Sequence, residues 1–172
     1  MQQSAFEQLY RESVADVHAY AISLLHDRAA AEDVTALAFE RLYRSRSRLD
    51  RRRGTPRALL FAIARNAALD ELRRMRRRSP GELADAALPG DSSSVVEQIE
   101  MAERRASVTR ALAALPLRER ELVLLKFHGQ LTNAELARAL GISESNAGTR
   151  LHRALGRLRD QCTGAEREEV AS

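Results

Sequence analysis

The segment LTNAELARALGISESNAGTRLHRALGRLR, residues 131–159, has the spacing of two helices joined by a tight turn. Thr132 suits the N-cap of the first helix, and Glu135 completes a capping box three residues later. Gly141 supplies the left-handed residue that ends this helix. Ser143 suits the N-cap of the second helix. The spacing therefore predicts a helix-turn-helix.

The helix-turn-helix has an apolar and a polar side. The apolar residues are Leu136, Leu140, Ala147, Leu151, Ala154, Leu155 and Leu158. The polar residues of the second helix are Ser145, Asn146, Thr149, Arg150, His152, Arg153 and Arg157. A structural hairpin shares the glycine but not this whole pattern, which favours a helix that reads duplex DNA in the major groove. Arg153 is the leading candidate for a guanine reader, and Arg150 and Arg157 are candidates for phosphate contacts.

Composition limits the class of protein. The chain has 172 residues, of which 44% are hydrophobic and 30% charged, so one ordinary domain or two small ones are expected. Aromatic residues make up only 4% and Trp is absent, so the core is built from aliphatic residues, which favours helix. The single Cys162 excludes a disulfide framework and a cysteine-based zinc site. No stretch approaches the ~18 apolar residues of a membrane span, and the N-terminus does not resemble a signal peptide, so we expect a cytoplasmic protein.

Charge is distributed in three blocks. Residues 41–78 hold 14 arginines against 3 acidic residues, residues 79–103 hold 6 acidic residues and no base, and residues 104–163 hold 11 bases against 5 acidic residues. The first block repels itself unless a polyanion neutralises it, so nucleic acid is the leading partner and an anionic membrane surface is a weaker alternative. The arginine-rich loop at 45–55 has no aromatic residue on which a base can stack, so the mode of nucleic-acid binding stays open.

The periodicity predicts an all-α protein of two small helical domains joined by a flexible acidic linker. Helices are expected at about 5–25, 29–43 and 56–78, and again at 95–115, 117–127, 132–140 and 143–161. Proline, glycine and serine mark the linker. We therefore divide the chain into a first domain at 1–78, a linker at 79–96, a second domain at 97–163 and a tail at 164–172.

Nothing in the sequence indicates catalysis. The four histidines are scattered without metal-ligand spacing, and no glycine-rich phosphate loop or nucleophile elbow is present. We expect no enzyme activity, no metal and no cofactor.

Three runs together resemble bacterial extracytoplasmic-function (ECF) sigma factors. They are AEDVTALAFERLY at 31–43, PRALLFAIARNAALDELRRMRRR at 56–78, and LPLRERELVLLKFHGQLTNAELARALGISESNAGTRLHRALGRLR at 115–159. The resemblance covers about three quarters of the chain, in the family's order and with a linker where the family has one. It implies a region 2 and a region 4, with RNA polymerase core and promoter DNA as partners. It also implies a regulatory anti-sigma factor, and we expect a monomer when the chain is free.

The resemblance assigns roles residue by residue. Region 2 binds polymerase core through Asp33, Glu40 and Arg41. The −10 element is contacted by Arg51, Arg52, Arg53, Arg65, Asn66, Asp70, Arg73 and Arg74. Region 4 binds the −35 element through the polar helix face defined above, with Thr149, His152 and Arg153 nearest the bases. The acidic linker is implied to pass near the polymerase active site.

Four positions depart from the family pattern. Ala36 stands where glutamine is common, Leu37 where an acidic residue is common, Leu59 where tryptophan is common, and Gly148 where a basic residue is common. The first two lie in the implied core contact, which keeps an alternative open. In that alternative, the chain is a stand-alone helix-turn-helix regulator that binds duplex DNA without engaging polymerase.

Overall fold

The structure is a computed structural model that describes residues 3–45, 54–78 and 95–170. Within these ranges it contains seven helices and no strand, which confirms the all-α class. The helices are α1 (Gln3–Leu25), α2 (Arg28–Ser45), α3 (Pro56–Arg78), α4 (Val95–Ala114), α5 (Leu117–Phe127), α6 (Asn133–Leu140) and α7 (Glu144–Val170). Arg51, Arg52 and Arg53, and linker residues 79–94, lie outside the described residues.

The bounds of α3, α4 and α5 match the prediction to within one residue, whereas α7 is longer than predicted. Helix α4 begins at Val95, where this helix was predicted to begin, so the last two residues of the expected linker are helical. Helix α7 runs beyond Gln161 to Val170, so most of the expected tail is helical. The apolar periodicity fades after Leu158, but Ala, Glu and Arg are good helix formers and no proline follows to stop the helix.

Short polar caps set the N-termini of α2 and α3. His26 adopts a left-handed conformation (φ 54°) after α1, and the Asp27 carboxylate accepts a hydrogen bond of 2.9 Å from the Ala30 N–H. At α3, the Thr55 hydroxyl accepts a bond of 3.2 Å from the Ala58 N–H, and Pro56 occupies the first helical position, where no N–H is needed.

Helices α1, α2 and α3 pack against one another as the N-terminal bundle. Tyr20 and Phe61 are fully buried in it and meet edge to face, with ring centroids 5.9 Å apart. Tyr10 belongs to the apolar stripe of α1 and meets Phe39 edge to face, with ring centroids 4.8 Å apart, yet it is 45% exposed.

Helices α4–α7 form the C-terminal bundle, in which α7 contacts α4, α5 and α6. The two bundles also contact each other, α1 against α5 and α3 against α6, and their buried apolar residues form one continuous core. Gly129, which follows α5, lies so close to the N-terminal bundle that a Cβ there would be 3.3 Å from a ring carbon of Phe61. Among the described residues, no helix is long and apolar enough to span a membrane.

Candidate nucleic-acid interface

The turn between α6 and α7 has the geometry that its sequence predicts. The Thr132 hydroxyl accepts a bond of 3.2 Å from the Glu135 N–H, and the Glu135 carboxylate accepts one of 2.9 Å from the Thr132 N–H. Gly141 is left-handed at φ 66° and bonds back to the end of α6. The Ser143 hydroxyl accepts a bond of 3.2 Å from the Asn146 N–H. The helix-turn-helix is thus confirmed, and its caps fix the direction in which α7 leaves the turn.

Helix α7 buries one side and exposes the other. Ala147, Leu151 and Ala154 are buried, on a helix that packs against α4, α5 and α6. The opposite side carries the residues singled out in the sequence: Ser145, Thr149, Arg150, His152, Arg153 and Arg157 are exposed, and Asn146 is half-buried. We call this side the α7 face. The structure therefore brings all seven predicted residues onto one helix.

The arginines of the α7 face differ in their partners. In the described part of the chain, Arg150 and Arg153 have no carboxylate partner, so their guanidinium groups are available to a ligand. Arg157 differs, because its Nη1 donates a bond of 2.6 Å to Glu119 Oε1 of α5. Arg157 therefore also ties α7 to α5.

Helix α3 carries a second polar side, the α3 face, made of Asn66, Asp70, Arg73 and Arg74, all of which are exposed. Both of its arginines are paired within the helix. Arg73 Nη1 lies 2.7 Å from Asp70 Oδ1, and Arg74 Nη1 lies 3.1 Å from Glu71 Oε2. A nucleic acid on this face must compete with these carboxylates.

Arg65 is predicted to lie with the α3 face, but its side chain is only 19% exposed. Its Nε lies 3.0 Å from Oε1 of Glu121 in α5, an ion pair by distance whose N–H is not aimed at the oxygen. Glu121 is itself buried, and the sequence reasoning did not single it out. The sequence does indicate a buried acidic residue at this position, because Glu121 lies four residues from both Leu117 and Leu125 on the apolar side of α5.

Burial perturbs the ionisable groups at this boundary. Desolvation raises the pKa of Glu121, although the nearby Arg65 guanidinium opposes the rise. Desolvation and the Glu121 carboxylate raise the pKa of Tyr20, so its phenol stays protonated. Glu121 therefore meets Arg65 in a region that water hardly reaches, where a paired charge interacts more strongly than at the surface.

Arg57 is a second residue that the sequence reasoning missed. Its guanidinium donates to the Asp16 carboxylate at 2.6 Å and to the Ser13 hydroxyl at 3.0 Å, both on α1. It also donates to the main-chain carbonyls of His128 and Gly129, each at 2.8 Å, just after α5. One side chain of the N-terminal bundle thus holds the end of a helix in the C-terminal bundle.

Thr55 and Glu135 link the same two bundles at another point. The Thr55 hydroxyl donates a bond of 2.6 Å to Glu135 Oε1, so the acid that caps α6 is shared with the cap of α3. Burial alone would raise the pKa of Glu135, but hydrogen bonds from Thr55 and Thr132 and the nearby Arg138 lower it. Glu135 is therefore held as a carboxylate.

Two family models match the chain, Sigma-70 region 2 over residues 9–78 and Sigma-70 region 4 over residues 105–158. The ECF RNA polymerase sigma factor SigL of Mycobacterium tuberculosis is 32% identical over 152 residues, which are 88% of this chain and 85% of SigL. This chain belongs to the ECF sigma factors. SigK of the same organism is 29% identical over 160 residues, covering 92% of this ECF sigma factor and 86% of SigK.

A solved structure has the same fold. It is the sigma factor RpoE of Bartonella quintana in complex with the anti-sigma factor NepR, which superposes with a TM-score of 0.73 at 22% identity and covers 92% of this chain and 97% of RpoE. The region 2 match coincides with the N-terminal bundle, and the region 4 match lies within the C-terminal bundle. The match to region 2 confirms a sigma factor rather than a stand-alone regulator.

In this sigma factor, the residues predicted for polymerase core lie on α2. Asp33, Glu40 and Arg41 are all exposed, and so is Ala36 between them. Glu40 is paired with Arg44, with 2.6 Å between Oε1 and Nη2.

In the described part of the chain, no group of three or more metal-ligating side chains comes together.

Proposed function

We propose that the chain binds RNA polymerase core through α2 and recognises promoters with two surfaces, the α3 face at the −10 element and the α7 face at the −35 element. The observation that carries this proposal is the α7 face itself. Arg150 and Arg153 project from a capped helix-turn-helix with no carboxylate partner in the described chain, which is the arrangement that duplex DNA requires.

The two DNA surfaces differ in what they contact. On α7, Arg153 reads a base while Arg150 and Arg157 hold phosphates, with Ser145, Asn146, Thr149 and His152 completing the contact surface. On α3, Asn66, Asp70, Arg73 and Arg74 contact the −10 element together with Arg65 and the arginines at 51–53. Residues 1–78 and 97–163 are the two functional units, joined by residues 79–96.

The chain itself catalyses no reaction and works in the cytoplasm beside the polymerase. Its core-binding surface is the exposed side of α2 with Asp33, Glu40 and Arg41. An anti-sigma factor is a further partner, since the structure of the related RpoE holds one.

The proposal is tested with purified chain, core polymerase and a template library carrying a randomised promoter. We expect transcripts only when both proteins are present, and sequencing of active templates recovers two conserved elements. Asp33→Lys lowers transcript yield, whereas Glu12→Lys on the exposed side of α1 serves as the charge-matched control and leaves it unchanged. A chain that shifts duplex DNA alone but directs no initiation would contradict the proposal.

A further inference from the structure

We propose that an apolar cavity between α1 and α4 binds a medium-chain fatty acid, whose alkyl chain lies along α4 and whose carboxylate meets Arg104 and Arg105. This α1–α4 cavity has a volume of about 330 Å³ and is also lined by His128, which follows α5. Sites for small molecules have volumes from about 300 Å³ upwards. None of the described residues that line it belongs to α2, the α3 face or the α7 face, so the inference goes beyond the proposed function and does not depend on it.

Most of the surface that lines the α1–α4 cavity is apolar. Ile22 of α1 is buried and Leu112 of α4 is half-buried, whereas Met101 and Val108 of α4 are 44% and 45% exposed. Because exposed apolar surface is unfavourable in water, a ligand that covers Met101 and Val108 gains free energy from their burial. The flexible thioether of Met101 also adapts to the shape of a neighbour. The lining therefore favours an apolar ligand.

The α1–α4 cavity is elongated along α4. Its lining extends from Met101 to Leu112, eleven residues later, and this length of α-helix spans about 16 Å. An extended alkyl chain fits a long and narrow space better than a compact ring system does. The shape therefore selects an aliphatic chain among apolar ligands.

The charged residues that line the α1–α4 cavity are basic. Arg104 and Arg105 both line it, and none of the described residues that line it is acidic. Both arginines lie one turn after Met101, so the positive charge is concentrated toward one end of the elongated cavity. Arginine binds a carboxylate through charge-assisted hydrogen bonds. The arginine end therefore suits the carboxylate of a fatty acid, and the Leu112 end suits its methyl terminus.

His128 contributes a neutral side chain to the α1–α4 cavity. Burial lowers the pKa of His128, although the Asp16 carboxylate opposes this shift, so the imidazole carries little charge at neutral pH. Asp16 is itself bound by Arg57, whose Nη2 donates to it at 2.6 Å. The same guanidinium donates to the His128 carbonyl at 2.8 Å and holds this residue in place. The positive charge of the cavity thus comes from Arg104 and Arg105.

Isothermal titration calorimetry on the whole chain tests this assignment, with all ligands kept below their critical micelle concentrations. We expect saturable binding of one decanoate per chain. Octanoate and then hexanoate bind more weakly, by up to about fourfold for each CH₂ removed. Octanol binds up to about fivefold more weakly than octanoate, because it lacks the charge that pairs with the arginines, and octylamine binds more weakly still. Binding that ignores either the chain length or the head group would overturn the inference.

Val108→Glu places a negative charge at the α1–α4 cavity, and Ala106→Glu adds the same charge to α4 outside it. Val108 lines the cavity, whereas Ala106 is exposed and does not. Val108→Glu lowers the affinity for decanoate by roughly tenfold, because the new carboxylate repels that of the ligand and its burial under the alkyl chain is costly. Ala106→Glu leaves the affinity nearly unchanged. Equal affinities of the two variants would contradict the assignment of the site.

The methionine methyl groups locate the ligand in the unsubstituted chain. Met101 lines the α1–α4 cavity and Met75 lies on α3, so ¹³C-methyl spectra, assigned with Met75→Leu, separate the two positions. Decanoate shifts the Met101 signal and leaves that of Met75 in place. Equal shifts of both signals would mean non-specific adsorption and would overturn the inference. A chain that sediments as a dimer and whose Met101 signal ignores decanoate would show that a second copy covers the cavity instead, which also overturns it.

Discussion

The α3 face and the α7 face are both rich in arginine, yet their charges are arranged differently. On α3, Arg73 and Arg74 each have a carboxylate three residues earlier in the same helix. On α7, Arg150 and Arg153 have no such partner among the described residues. A count of charges would rank the N-terminal block as the stronger DNA binder. The structure instead shows that both arginines of the α3 face are already paired with carboxylates of the same helix.

One chain can therefore hold two DNA surfaces of unequal strength. An unpaired arginine gains the full interaction with a phosphate or a guanine. A paired arginine must first give up its carboxylate, so its net gain is smaller. We therefore expect α7 to provide most of the affinity for duplex and α3 to contribute only once other contacts hold the strand in place.

The largest expected effect comes from Arg153→Ala. Loss of a guanine contact costs about 1–3 kcal/mol, which lowers transcription from the recognised promoter by roughly 5- to 150-fold and relaxes the sequence preference at one position of the −35 element. Transcript sequencing from a library randomised in that element measures both.

Arg150→Ala is the matched control for this prediction. Removal of a phosphate contact weakens binding to all sequences alike and reduces the salt slope by about 1. If Arg153→Ala left the sequence preference intact and changed only the salt slope, the assignment of base reader and phosphate contact would be wrong.

A smaller effect is expected from Glu71→Gln, which removes the carboxylate partner of Arg74 without changing the size of the side chain. An ion pair at the surface is worth up to about 1 kcal/mol, so freeing Arg74 strengthens binding of a single-stranded oligonucleotide by up to roughly fivefold. Fluorescence anisotropy measures this affinity. Glu32→Gln, which frees Arg28 on α2, is the control and leaves binding nearly unchanged. Equal gains from both variants would show that α3 has no special role.

The sequence predicts local features of both faces well. The bounds of α3 and α5, the capping box at Thr132 and the left-handed Gly141 follow from signals within a few residues, and the structure has each of them. These features are predictable because periodicity and caps act over one or two turns of helix.

The contacts between the bundles were not predicted. Arg65 meets Glu121 and Arg57 meets His128 across long stretches of chain, and no local spacing connects them. The position of Glu121 on an apolar helix side indicates a buried acid but does not name its partner. For that reason the sequence grouped Arg65 with the exposed α3 arginines, whereas in the structure it is half-buried and paired with Glu121 of α5.

The smallest expected effect is that of Gly148→Lys, which adds a charge to the α7 face. A Cβ at Gly148 would lie 3.5 Å from Asn133 Nδ2, an ordinary contact, so the substitution fits. It also replaces glycine by a better helix former. One added phosphate contact steepens the salt dependence of duplex binding by a slope of about 0.9, which is roughly threefold in affinity over a fourfold change in salt.

The same charge added to the α3 face is the control for Gly148→Lys. The equivalent addition on α3, Asn66→Lys, lies one turn before Asp70, so the nearby carboxylate offsets part of the new charge. We therefore expect Gly148→Lys to steepen the salt slope of mixed-sequence duplex binding more than Asn66→Lys does. Titrations at several salt concentrations measure both slopes. Equal slopes would mean that duplex DNA does not distinguish a helix with free arginines from one whose arginines are already paired.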